Sequence, residues 1–194
     1  MNNISDETLK KYAKMASEAF VDDPNYVNAA KNIKLRKLVT YHATLVRLYA
    51  SRAMGFKFYF DQQERGVLIV RPAQSDIPTD VFMKGKNIPA VIMLIPWIRK
   101  LLDVDVRCEN AKHFDDKTYI ISPVFVDVKH QGQGVARKLI EKAAADLKEQ
   151  GYKLGLDTQN PNNVPKYEKM GFKLFHQDFY EEINMNIFHM ILEQ

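Results

Sequence analysis

The chain has 194 residues, 46% of them apolar and 27% charged, with 28 Lys and Arg against 24 Asp and Glu for a net charge of +4. This suits one domain spanning 1–194 with a sizeable core, not a disordered tail, and so small a positive excess argues against a nucleic-acid partner. The single cysteine, Cys108, excludes an internal disulfide and suits a reducing, cytoplasmic setting.

The chain opens Met-Asn-Asn-Ile-Ser-Asp-Glu, with neither a basic segment nor an apolar core, so no secretory signal is expected. With Ser5 or Asp6 as N-cap, Leu9, Ala13, Ala16 and Phe20 recur at helical spacing up to Asp22-Asp23-Pro24. Leu38, Tyr41, Leu45 and Leu48 mark a second helix that ends near Gly55. Phe56, Phe58 and Phe60 alternate as in a strand, and beyond the turn Gln62–Gly66 the run Val67–Val70 reads as its hairpin partner.

Residues 75–115 read as a mostly helical excursion over 81–83 and 90–102, broken by prolines. The apolar run Ile88 to Ile98 is eleven residues long and holds Pro89 and Pro96. A membrane span needs about twenty residues, so this run reads as a buried or pocket-lining segment and no membrane association is expected. Tyr119 to Val128 gives a long central strand in which Pro123 implies a bend or an unpaired amide. A helix from Gly134 to about Gln150 turns Val135, Leu139, Ala143 and Leu147 inward and stops at Gly151. Lys153 to Thr158 is the next strand, a short helix carries Tyr167, and closing strands follow over 172–179 and 185–192. Strand, crossover helix and strand make a right-handed parallel unit. The fold class is α+β, a mixed sheet flanked by helices.

The most informative stretch is His130-Gln-Gly-Gln-Gly-Val-Ala-Arg137, a glycine-punctuated loop between the central strand and its helix. The first turn of a helix has amides without intrahelical partners and carries the positive end of the dipole, which together suit a phosphate or pyrophosphate. Three phosphate loops compete. A Walker loop needs Lys-Ser or Lys-Thr after its last glycine, where this chain has Val135-Ala136. The dinucleotide fingerprint could use Asp157 as its acid, but needs a third glycine where Arg137 stands.

The third candidate fits. Gln131-x-x-Gly134-x-Ala136 resembles the acyl-CoA pyrophosphate loop of the GNAT acetyltransferases, and Leu154–Phe172, with Asn160, Asn163, Tyr167 and Gly171-Phe172, resembles the strand, Asn, Tyr helix and Gly-Phe of their small-amine and antibiotic-acetylating branch. The resemblance covers roughly 118–175. It implies the GNAT fold, whose first strand precedes the first helix; here that strand must be absent or cut to a few residues.

It also implies acetyl-CoA as the acyl donor. The amides of Gln131, Gly132, Gln133, Gly134, Val135 and Ala136 would meet the pyrophosphate. Val126 and Val128 would pair with the pantetheine arm where the strands splay, and the Val126 amide would hold the oxyanion. Asn160 and Asn163 match polar positions beside the coenzyme, although Asn-Pro-Asn-Asn is also strong turn chemistry. Lys129, His130, Arg137, Lys138, Lys166 and Lys169 could meet phosphates, Arg137 foremost. Tyr167, beside the coenzyme, would be the general acid that protonates the departing thiolate.

Protein-modifying members use a strand Glu as base, yet 118–124 hold no carboxylate, leaving a water relay through Ser122 or His113, or Asp127 or His176. Tyr26, Phe58, Trp97 and Tyr180 are candidates for an acceptor pocket. The implied reaction is acetyl transfer to a primary amine of a small molecule by direct attack in a ternary complex, in a monomer or homodimer. A non-catalytic acyl-CoA-binding sensor module and a protein or peptide N-acetyltransferase are the alternatives.

Overall fold

The computed structural model describes residues 4–75, 78–82, 87–97, 101, 110–181 and 184–192. Helix α1 (Asp6–Ala19) starts where the Ser5 side chain takes the Thr8 amide, and it buries Leu9, Tyr12, Ala13 and Ala16. Asp22-Asp23-Pro24 is a beginning as well as an end. Asp23 accepts the Asn25 amide and Pro24 occupies the first turn of an unexpected helix, α2 (Pro24–Ala29). Helix α3 (Ile33–Ala53), capped by Asn32, starts earlier than expected; it buries Leu45 and Leu48, but Leu38 is exposed while Thr40 and Thr44 turn inward.

Six strands form one mixed sheet: β1 (Lys57–Phe60), β2 (Gly66–Pro72), β3 (Thr118–Val126), β4 (Lys153–Thr158), β5 (Phe172–Tyr180) and β6 (Met185–Leu192), in the order β1-β2-β3-β4-β6-β5. Only β3 and β4 run parallel. Among the described residues no strand precedes α1.

Within 75–115 the helical excursion takes the form of α4 (Thr79–Phe82), α5 (Asn87–Leu94), a 3₁₀ turn over Ile95–Trp97 that contains Pro96, and α6 (Asn110–His113). Residues 98–100 and 102–109, Cys108 with them, lie outside the described residues. The apolar run is only half buried: Ala90, Val91 and Leu94 face the core, whereas Ile88, Ile92, Met93 and Ile95 are exposed. No helix among the described residues is long and apolar enough to cross a membrane.

The crossover helix α7 (Val135–Glu149) joins β3 to β4, and α8 (Val164–Glu168) follows β4. Alternation along the strands sends Val67, Ile69 and Phe125 to the α1/α3 face and Leu68, Val70, Val126, Leu154 and Leu156 to the α7 face. There Val135, Leu139, Ile140, Ala143 and Leu147 meet them, and burying each larger side chain stabilises the fold by about 1.5–3 kcal/mol. Gly151, at φ 77°, ends α7 as the Tyr152 amide reaches back to the Leu147 carbonyl at 2.9 Å.

Candidate active site

Strands β3 and β4 pair over only three residues, the last being Ile120 with Gly155. Beyond that point β4 stays with β6 as far as Thr158–Phe188, and β3 stays with β2 as far as Val126–Gly66, so a gap opens between them. The β2–β3 register jumps from Leu68–Val124 to Val70–Ile121, leaving Ser122 and Pro123 as a bulge opposite Ile69. A bulge bends and twists its strand, and this one, in keeping with the bend expected at Pro123, lies just beyond the last β3–β4 pair.

The Asp127 amide donates to the Arg65 carbonyl at 2.8 Å. Alternation in an antiparallel ladder therefore sends the polar groups of Phe125 toward β2 and those of Val124 and Val126 into the gap. The Val126 carbonyl accepts the Gln131 side-chain amide at 3.3 Å, while its N–H faces the opening. Such a strand edge can accept an extended arm as an added strand.

The expected strand does not reach Val128. Asp127 accepts the Lys129 amide at 2.9 Å and starts a 3₁₀ turn over Val128–His130, which leaves Val128 exposed beyond the strand end. The chain then passes Gly132 and Gly134, at φ 76° and 77°, a left-handed conformation that disfavours any side chain. A Cβ at either would meet nothing within 4 Å, so conformation and not crowding demands glycine. Gly134 caps α7 and has no side chain to satisfy the amides of Val135, Ala136 and Arg137, which stay open at the positive end of a 15-residue helix. Gln133 holds the turn through the Lys129 carbonyl at 3.2 Å. Arg137 donates to the Lys169 carbonyl at 2.6 Å and lies 3.4 Å from Glu141, bridging α7 to the end of α8.

Across the gap, Asn160 accepts the Asn162 amide at 3.0 Å, and Asn163 donates weakly to Thr158 Oγ1 and accepts from Lys166 Nζ at 3.3 Å. Both asparagines are thus used in shaping the turn that delivers α8. Tyr167, half-buried, packs edge-on against Phe172 with ring centroids 5.7 Å apart, in the cluster that holds Val126, Val135 and Ala136. Burial, and secondarily the Asp23 carboxylate, push its phenol up to about 12.

Asp23 and α2 escaped the sequence reading, although Asp23-Pro24 is a legible cap. Burial raises the Asp23 carboxyl against the opposing pull of the Asn25 amide and Arg47. Helix α2 touches the end of β4 through Asn25 Nδ2 and Gln159 Oε1 at 3.4 Å.

Of the four acceptor-pocket candidates, Tyr26, Phe58 and Trp97 pack against one core cluster, and Tyr180 is not among its residues. Tyr26 stacks on Phe20, Phe58 on Phe60, Trp97 packs near α1 and α3, and Tyr180 ends β5 beside Asp178. Of the candidate bases, Ser122 sits in the bulge, Asp127 is engaged in its cap, and His113 and His176 stack together on the sheet face opposite α7.

Residues 111–194 match the family model described as Acetyltransferase (GNAT) domain. No curated protein matches the sequence. An N-acetyltransferase from Staphylococcus aureus Mu50 is 17% identical, with 97% of each chain covered and a TM-score of 0.56. A structure titled acetyltransferase is 17% identical over 99% of this chain and 97% of its own, with a TM-score of 0.52. A protein assigned as a streptothricin acetyltransferase from Bacillus anthracis str. Ames, in complex with acetyl coenzyme A, is 19% identical over 72% of this chain and 62% of its own, with a TM-score of 0.45. The mixed six-stranded sheet flanked by helices is that of the GNAT fold.

Proposed function

With residues 111–194 forming a GNAT acetyltransferase domain and acetyl-CoA therefore the acetyl donor, we propose that the chain, acting as one unit over 1–194, acetylates a primary amine of a small molecule in the cytoplasm. The carrying observation is the gap beyond Ile120 and Gly155, with the uncapped start of α7 at one end and Tyr167 beside it. An extended arm ending in a diphosphate fits both parts, through strand edge and helix amides respectively.

Bound there, acetyl-CoA supplies an electrophilic thioester carbon and a thiolate leaving group. The first-turn amides of α7, with Gly132 and Gly134 keeping the approach clear, hold the diphosphate. The Val126 N–H, pointing into the gap, receives the negative charge that develops on the carbonyl oxygen; removing one such donor typically costs about a hundredfold or more in rate. Tyr167 stays protonated at every pH at which the enzyme would work and gives its proton to the departing sulfur. No carboxylate stands on β3 between Thr118 and Val124, so the amine loses its proton to a water relay past Ser122.

The small-molecule acceptor draws support from that missing carboxylate and from the Asn160–Phe172 segment, whose order of turn, Tyr helix and strand resembles the small-amine branch. The test is thiol release from acetyl-CoA over a panel of small primary amines and of peptides with free N-termini. Turnover on small amines is expected; turnover confined to peptides would overturn the acceptor class.

A further inference from the structure

On the sheet face opposite α7, three imidazoles and two carboxylates converge. Asp157, His189 and His176 stand directly opposite one another on β4, β6 and β5, Asp178 lies two residues along β5 on the same face, and His113 enters from α6. His189 is fully buried, and its Nδ1 lies 2.7 Å from Asp157 Oδ1. A carboxylate can only accept there, so Nδ1 carries a proton; Nε2 faces the other way and gives a hydrogen bond to Asp178 Oδ2 at 3.2 Å, through a proton that a metal ion would displace. His113 Nε2 is 2.8 Å from the same oxygen yet makes no hydrogen bond with it or with any other group among the described residues. The His113 side chain is only 9% exposed. The other Asp178 oxygen is held by His176 Nε2 at 3.0 Å.

Three potential ligand atoms, His113 Nε2, His189 Nε2 and Asp178 Oδ2, therefore lie within 4.8 Å of one another, and the buried His113 Nε2, 2.8 Å from Asp178 Oδ2, is not aligned to hydrogen-bond it. A His–His–Asp set suits zinc or a neighbouring transition metal and not calcium or magnesium, which take oxygen ligands. Asp157 behind His189 and His176 behind Asp178 occupy the places of the outer partners that orient metal ligands.

We propose that His113, His189 and Asp178 bind one Zn²⁺, with a fourth position left for water, tying α6 to the β6–β5 edge of the sheet. The test of this site does not depend on acetyl transfer.

The protein is dialysed against chelator and titrated with Zn²⁺ by calorimetry and with Co²⁺ by visible absorption. One equivalent of each is expected, with tetrahedral Co²⁺ bands and a rise in melting temperature on adding Zn²⁺. His113→Gln, His189→Gln and Asp178→Asn should each weaken binding at least tenfold, and Asp157→Asn by about 10–100-fold through His189. Absence of stoichiometric uptake by the wild-type chain overturns the site, whatever the variants do. So does unchanged uptake by Asp178→Asn, or an NMR spectrum in which His189 carries protons on both ring nitrogens with Zn²⁺ present.

Discussion

Ile120 and Gly155 are the last residues at which β3 and β4 face each other, and from there each strand follows a different partner. Gly155 also packs so close to Phe114 that a Cβ would stand 2.5 Å from its ring. The hinge of the gap is therefore held by a contact that only glycine permits. Gly155→Ala should push Phe114 aside and cost about 1–3 kcal/mol of stability, the usual penalty of overpacking. Urea unfolding measures it, and an unchanged midpoint would show that the ring yields freely.

The phosphate cradle is tested at Gly134. The open space around it removes steric crowding as an explanation, so Gly134→Val should act through the left-handed φ and by covering the first-turn amides. A strained residue of this kind costs about 1–3 kcal/mol. Expressed in binding, that is about a five- to 150-fold rise in the acetyl-CoA Kd by calorimetry. Gly55, also left-handed but at the end of α3, is the control: Gly55→Val should lose stability and keep affinity.

Tyr167 separates binding from chemistry. Tyr167→Phe keeps the ring on Phe172 and removes only the proton, so kcat should fall about a hundredfold or more while the acetyl-CoA Kd stays within about twofold. Normal turnover would remove Tyr167 as the acid.

Much of the local structure around the candidate site was readable beforehand because it is set within short segments. The period-2 runs, the inward stripe Val135-Leu139-Ala143-Leu147 and the glycines at 132 and 134 act within a few residues of themselves, and each stands where the pattern put it. What escaped has a common cause in competition between neighbours. Asp23 caps a new helix where Pro24 reads as a stop, and Asp127 captures an amide and curls Val128 out of its strand. The His113–His176–His189 group could not be read at all, since the register of three strands and a distant helix brings it together.

Arg137 stands in the first turn of α7, and its bond to the Lys169 carbonyl fixes the end of α8 against the start of α7. Arg137→Ala should both remove a cation near the diphosphate and release the α8 end, weakening acetyl-CoA binding about three- to tenfold, since a charged hydrogen bond is worth about 1.5–3 kcal/mol before solvent screening. Arg137→Lys should recover the charge but not the reach. Salt titration of the Kd distinguishes the two contributions, because only the electrostatic one flattens with ionic strength.

The phenols set the alkaline limit of the fold. Burial, aided by Glu64 and Asp61, raises Tyr12 to about 12, and burial with Asp23 raises Tyr167 to the same value, whereas an unfolded tyrosine ionises at about 10. Above pH 10 the unfolded chain has lost phenolic protons that the folded chain still holds, so stability falls with rising pH. The contribution is fully present below about pH 10 and is lost as pH climbs through about 12. Urea midpoints should hold steady from pH 8 to 9.5 and drop steeply from 10 to 11.5. Tyr12→Phe should lower stability at pH 8 little, since Tyr12 contributes chiefly its ring to Phe60 and Phe125, and it should make the alkaline slope shallower. An unaltered slope in Tyr12→Phe would mean that its hydroxyl ionises in the folded protein as it does in the unfolded chain.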